Sequence, residues 1–270
     1  MTRPEDISVL FVTRFSFLGK GGWKNAETAT AETLYEPARI ARRMEIFEHV
    51  TLPSLRDQRD PGFRHLILSG ADMPTVQKKA LRTLVGDMLG ERAEVYFRKP
   101  GVVGRIVRRW VKGAYDFETP LAQVALDDDD AVATDFVEIL KQEAARALDV
   151  NYDGDDHMFL SFPRGISLIL KDDGVKLHHR NVFYTNQGLA LVAKAGTNEG
   201  LFLQPHRRVG WLNEARMIQT LRPIYLRTHH GENDSRAITS GKELSEDERP
   251  AIEPLFPCLR DLDLLRGLAA

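Results

Sequence analysis

Four consecutive carboxylates, Asp127, Asp128, Asp129 and Asp130, follow directly on the apolar run Leu121-Ala122-Gln123-Val124-Ala125-Leu126. Unit charges about 5 Å apart repel by roughly 3 kcal/mol at the effective dielectric near a protein surface, so such a block is unfavourable unless solvated or neutralised by a cation. A hard divalent ion would neutralise it through carboxylate oxygens. On an extended backbone Asp127 and Asp129 point to one side and Asp128 and Asp130 to the other, which offers two D-x-D pairs. The other reading is a solvated acidic turn that caps the next helix. The residues alone leave both open.

A second charged feature lies just upstream. The stretch 98–112 carries Arg98, Lys99, Arg105, Arg108, Arg109 and Lys112 interleaved with Val102, Val103, Ile106, Val107 and Trp110. A basic amphipathic element of this kind suits an anionic membrane surface or an anionic substrate, although a solvated helix face has the same pattern. Acids that hold a metal beside basic residues suit a nucleotide diphosphate.

Other motifs fail on their mechanics. Gly19-Lys20-Gly21-Gly22 has neither the G-x-G-x-x-G nor the Walker A spacing. Asp149, Asn151, Asp153 and Gly154 open like a calcium loop, yet Leu160 occupies the twelfth position, where a bidentate glutamate is needed. His178-His179 and His229-His230 lack the i, i+4 spacing of a helical zinc pair, and no G-x-S-x-G elbow is present.

The elements that must position the acids read as alternating strands and helices. Strands are expected at 8–13, 65–69, 94–97 and 121–126. Helices are expected where Ile40, Met44, Phe47 and Val50, then Val76, Ala80, Leu84 and Met88, then Phe136, Leu140, Ala144 and Leu148 recur on one face. This βαβ pattern predicts a parallel sheet with ligands at the carboxyl ends of its strands. After residue 150 come closely spaced strands at 158–162, 166–170, 175–179 and 189–192, a more antiparallel pattern. Residues 235–253 turn polar, and a short closing helix is expected over 255–268.

Composition sets the frame. The chain has 270 residues, 43% apolar and 28% charged, enough to bury a sizeable core. A net charge of −2 gives no overall bias towards nucleic acid. The single cysteine, Cys258, excludes an intrachain disulfide framework. The start carries acids and no apolar h-region, and no uncharged apolar run reaches about 18 residues. The expected location is cytoplasmic, with peripheral contact at the inner face of a membrane through the basic stretch.

Several blocks then carry a resemblance. Thr13-Arg14-Phe15-Ser16, Arg43-Met44-Glu45-Ile46-Phe47-Glu48, Thr51-Leu52-Pro53-Ser54-Leu55-Arg56-Asp57-Gln58 and Leu126-Asp127-Asp128-Asp129-Asp130-Ala131, in that order, resemble the putative rhamnosyltransferase family of bacteria. These are GT-A-like glycosyltransferases. Here Asp128 adds a fourth acid to the family's block, which leaves the metal-binding register open.

The resemblance implies a GT-A-like, Rossmann-like α/β mixed sheet flanked by helices, with a more antiparallel C-terminal half. It spans 1–234, with a nucleotide-sugar half to about 150 and an acceptor half over 151–234, followed by a polar tail over 235–270. It implies a dTDP- or UDP-sugar donor held by Arg14, Asp127 and Asp128, and a glycan or glycolipid acceptor. A divalent ion, Mn²⁺ or Mg²⁺, would be held by Asp129, Asp130 and a late histidine, His230 ahead of His229 in the strand and turn 225–235.

An inverting transfer needs a general base, and Asp155, Asp156, Glu199 and Asp234 are candidates on substrate-side loops. Tyr184, Asn186, Gln187 and Trp211 could stack on and hydrogen-bond to an acceptor sugar. Two other activities use or tolerate the same residues: a metal-dependent nucleotidyl or phosphoryl transferase, and a non-catalytic glycan-binding module.

Overall fold

A computed structural model of the chain describes residues 1–19, 30–150, 156–171, 174–230 and 241–268. The apolar runs become strands β1 (Ser8–Phe15), β2 (Arg64–Gly70), β3 (Ala93–Arg98) and β4 (Pro120–Ala125). Together with β6 (His157–Ser161), β9 (Ala190–Lys194) and β10 (Ala215–Met217) they form a seven-stranded sheet in the order β10-β6-β9-β4-β1-β2-β3. β1 is parallel to both β2 and β4, while β9 runs antiparallel to its neighbours β4 and β6. Leu10, Phe11, Val12 and Phe15 of β1 are fully buried, as expected of a central parallel strand covered on both faces.

Between β1 and β2 run α1 (Ala31–Leu34), α2 (Pro37–Ile46) and α3 (Leu52–Arg56), the last two joined without a break by a π turn over Phe47–Thr51. The helix α4 (Thr75–Leu89) buries Leu81, Val85 and Leu89, one position round from the face expected; Val76 is exposed. Its sequence offers apolar residues on two adjacent stripes, and the sheet selects the bulkier set. The helix α5 (Val103–Ala114) covers the opposite face with Val103, Val107 and Val111. The helix α6 (Phe136–Asp149) packs Phe136, Val137, Leu140 and Ala144 into the main core.

A second sheet of four strands has the order β5 (Ala131–Val132), β11 (Tyr225–His229), β7 (Arg164–Lys171), β8 (Gly174–Asn181). β7–β8 and β5–β11 are antiparallel, as expected for this half, whereas β7–β11 is parallel. Gly165 is required where the Tyr225 ring crosses β7, because a Cβ there would lie 2.4 Å from the ring.

The segment 241–268 is not the polar tail expected. It contains α8 (Arg249–Ile252) and α9 (Leu262–Gly267), joined by 3₁₀ turns in place of one helix, and it buries Leu244, Ile252, Leu255, Phe256, Leu259 and Leu265 against the second sheet. Charged residues face solvent while widely spaced leucines face in, so local composition disguised a core segment. The short helix α7 (Val209–Leu212) lies between β9 and β10. No helix among the described residues is long and apolar enough to cross a membrane.

Candidate functional site

The order of the large sheet reverses at β1. β2 and β3 lie on one side of it and β4 on the other, so the crevice beyond the carboxyl ends of β1 and β4 is the topological switch point where α/β sheets bind ligands. The acidic block occupies that crevice as a turn after β4. Thr13 Oγ1 donates to the Leu126 carbonyl at 2.8 Å and accepts in turn from His65 Nε2 at 2.8 Å, which pins the start of the turn to β1 and β2. Burial pushes the His65 pKa down to about 3, so its ring is neutral.

The segment after the acids is held as firmly. Gln58 Nε2 donates to the Ser54 and Ala133 carbonyls at 2.8 and 2.7 Å, and its Oε1 accepts from the Val137 amide at 3.0 Å. Ser54 Oγ accepts from the Val132 amide at 3.4 Å.

Each acid has its own surroundings. Asp127 is the most exposed of the four, with 31% of its side chain accessible against 14% for Asp129, and accepts from Asn186 Nδ2 at 3.2 Å and Arg14 Nη2 at 3.5 Å. The Arg14 guanidinium also lies 5.6 Å from the Phe202 ring centre. Asp128 is buried and grips Arg43 through both oxygens, with Nε donating at 3.0 Å. Burial pushes its pKa up to about 6 against the pull of Arg43.

Asp129 accepts from or shares a proton with His230 Nε2 at 3.1 Å. Burial would raise its pKa, but the His230 hydrogen bond and the charges of Arg43, His230 and Arg227 outweigh that and hold it below the usual carboxylate range. Asp130 is buried, accepting from the Thr228 amide at 2.9 Å and from Gln187 Nε2. Burial, with the charges of Asp129 and Asp127, raises its pKa well above normal. The expected division therefore exists in a turn: Asp127 and Asp129 border the cleft, and Asp128 and Asp130 point inward to protein partners.

Among the described residues no group of three or more His, Cys, Asp and Glu side chains is placed to hold a metal ion. The donor set that does converge is a carboxylate and an imidazole, Asp129 and His230, beside the second carboxylate of Asp127. A small divalent cation commonly takes one or two protein carboxylates and completes its shell with water and phosphate oxygens, so this set fits such an ion.

A model of the family described as putative rhamnosyl transferase matches residues 8–242. The chain belongs to that family. No curated protein matches it. Among solved structures it is similar to S. aureus TarS 1–349 in complex with UDP-GlcNAc, at 14% identity and TM-score 0.42, over 86% of this chain and 61% of that one. The chain thus spans less than two thirds of that TarS structure. It is also similar to a structure described as a putative nucleotide-diphospho-sugar transferase from Desulfovibrio desulfuricans G20 (12%, TM-score 0.36, 97% and 98%). A third is the galactosyltransferase LgtC with donor and acceptor sugar analogues (9%, TM-score 0.31, 70% and 58%). Likenesses of this size say nothing of substrate.

The family's sequence blocks, far apart along the chain, meet at the acidic turn. Thr13 and Arg14 hold its first residues, Arg43 holds Asp128, and Ser54 and Gln58 brace the backbone beyond Asp130. Asn186 and Gln187, expected to contact an acceptor, instead bond the acids. Tyr184 adopts a positive φ of 49° and gives its carbonyl to His206. Trp211 contacts none of this and is 86% exposed.

Other expected residues lie elsewhere. Asp156 precedes β6, and His157 is level with Leu121 across β9, so Asp156 sits at the amino end of β4, roughly 20 Å from the acids that follow its carboxyl end. Thr197 Oγ1 donates to Asp156 and accepts from the Glu199 amide, which places Glu199 at that same wrong end. Neither is a general base for this crevice. Asp155 and Asp234 lie outside the described residues, as do Lys20, Gly21 and Gly22 of the glycine-rich stretch and Asn151, Asp153 and Gly154 of the calcium-like loop.

His229 is buried with neither ring nitrogen hydrogen-bonded, its pKa pushed down to about 4 by burial and by Arg227 and Arg180, and it is His230 that meets Asp129. On α5, Val103, Val107 and Val111 are spent on the core and Arg108 and Lys112 hold Asn198, while Ile106 and Trp110 are half-buried and Arg105 and Arg109 exposed. Sequence reading missed Arg43, Phe202 and His206 as neighbours of the acids. Arg43 had a signal: a basic residue on an otherwise apolar helix face beside Ile40 and Phe47.

Proposed function

We propose that the protein transfers a sugar, a rhamnosyl group in keeping with its family, from a dTDP- or UDP-linked donor to a glycan or glycolipid acceptor. The observation that carries this reading is the convergence of Arg14, Asp127, Asp129 and His230 at the β1/β4 switch point, on a turn locked from below by Arg43 and Gln58. Arg14, with its guanidinium between Asp127 and Phe202, would pair with a diphosphate. Asp129 and His230 would hold Mg²⁺ or Mn²⁺, whose remaining positions water and phosphate oxygens would fill; Asp128 and Asp130 keep their internal partners and shape the turn. Such an ion, when bound, offsets charge that develops on a departing nucleoside diphosphate. Asn186 fixes the Asp127 carboxylate, and the His230 hydrogen bond keeps Asp129 ionised at neutral pH.

The deciding experiment incubates the protein with a panel of sugar nucleotides, with and without divalent ion and candidate acceptors. Release of nucleoside diphosphate from a deoxyhexose donor is the expected result. Release of pyrophosphate would replace this reading by nucleotidyl transfer, and binding without turnover would replace it by a glycan-binding module.

A further inference from the structure

Between β9 and β10 the chain leaves bulky apolar side chains uncovered. Trp211 is 86% exposed, Leu212 63% and Leu203 38%. The backbone that carries them is fixed. Val209 is buried, His206 Nδ1 meets the Tyr184 carbonyl, and the Tyr184 ring lies so close over Gly210 that a Cβ would clash. Leu203 packs in the same way over Gly104 of α5. A rigid frame that holds tryptophan and leucine outward is a contact surface, because solvent exposure of these side chains brings no stability of its own.

Charge selects the occupant. Arg207, Arg208 and Arg216 are exposed on the same segment, and the one acid between residues 203 and 217, Glu214, is half-buried. A second copy of the chain would set arginine against arginine. A hydrophilic polyanion would gain nothing from Leu203 or Leu212. An anionic bilayer matches both features: indole sits at the headgroup level, leucine reaches the acyl boundary, and guanidinium groups meet lipid phosphates. The surface is also continuous with the crevice, since Phe202 beside Arg14 directly precedes Leu203.

We propose that Leu203, Arg207, Arg208, Trp211 and Leu212 dock the protein peripherally on an anionic lipid bilayer, with the acid crevice next to the surface. The glycosyl-transfer reading supplies only the reason, a lipid-linked acceptor; docking itself is measured without donor.

The chain has three tryptophans, Trp23, Trp110 and Trp211, so Trp23→Phe with Trp110→Phe leaves Trp211 as the only one. Vesicles of phosphatidylglycerol and phosphatidylcholine in equal parts should shift its emission to the blue and sediment the protein, while phosphatidylcholine alone should do little. In the otherwise native chain, Trp211→Ser with Leu212→Ser should lower partition by about tenfold. Arg207→Gln and Arg208→Gln should each lower it by about fivefold, and added salt should act in the same direction. Unchanged thermal unfolding of these surface variants shows that the fold is intact. Unshifted Trp211 emission, equal sedimentation of native and variant chains, or lipid-free dimers that vanish with Trp211→Ser would each overturn the proposal. Nucleoside diphosphate release by the same variants, with a soluble acceptor, reports separately on the glycosyl-transfer reading.

Discussion

Arg43 and Asp128 form a buried pair whose worth is positional. A carboxylate with 3% of its side chain exposed and a guanidinium with 10% gain little net stability from each other, yet the Asp128 carboxylate left without Arg43 is a poorly compensated buried charge. Arg43→Ala should destabilise the fold by about 3–5 kcal/mol in urea unfolding, while Arg43→Met with Asp128→Leu should recover most of that loss. If the double variant is no better than the single one, the pair does more than balance charge. At the mouth of the crevice the expectation is the reverse, lost chemistry with an intact fold. Asp129→Ala should abolish donor turnover, and chelation should do so reversibly. His230→Ala should weaken metal-dependent donor binding by roughly 10- to 100-fold, and His178→Ala should not. Turnover by native protein with the ion demonstrably removed would end the metal assignment.

At the scale of elements, the carboxyl ends of β1 and β4 and the end of α3 act as one clamp on the acidic turn. The Gln58 side chain bonds two carbonyls and one amide, those of Ser54, Ala133 and Val137. Gln58→Leu strands the Ser54 carbonyl and the Val137 amide, while the Ala133 carbonyl keeps the Phe136 amide, and about 1–3 kcal/mol for each unsatisfied group is the usual cost. The variant should unfold at lower urea and lose donor affinity together, because the backbone that carries Asp129 relaxes. Strand direction supplies a control. Asp156→Asn and Glu199→Gln change acids at the amino end of β4, so initial rates with saturating donor should stay within about twofold of native, the scale of an ordinary surface substitution. A rate loss of several orders in either would mean that the crevice has been placed at the wrong end of the sheet.

Across the whole molecule, His65 ties the stability of the main core to pH. Its ring stays neutral in the fold down to about pH 3, whereas the unfolded ring titrates near 6.5. Between these values the unfolded chain binds more protons, so this histidine lowers stability as pH falls below 6.5 and contributes nothing above it. The limiting slope is about 1.4 kcal/mol per pH unit. The stability of the native chain minus that of His65→Gln should therefore decline from pH 6.5 to 5 and stay flat from 7 to 8. A difference that rises with acid would show that the ring is protonated in the fold.

How much of this was legible in the residues follows from range. The apolar run before Asp127, the order of strands and helices through Asp149 and the pairing of Asp127 with Asp129 are local, set by side-chain period and backbone sterics, and the sequence determined them. The short blocks containing Arg14, Ser54 and Gln58 were also visible as text, and with them the family. Their physical purpose was not, because a hydrogen bond from Gln58 to Ala133 spans 75 residues and exists only once β4 and α3 are adjacent. Tertiary structure alone decided that Asp128 and Asp130 turn inward and that Asp156 lies at the far end of β4. It decided too that the leucines of 241–268 complete a core. Each of these depends on which surface is covered by chain distant in sequence, and solvent exclusion by such chain leaves no local period to read.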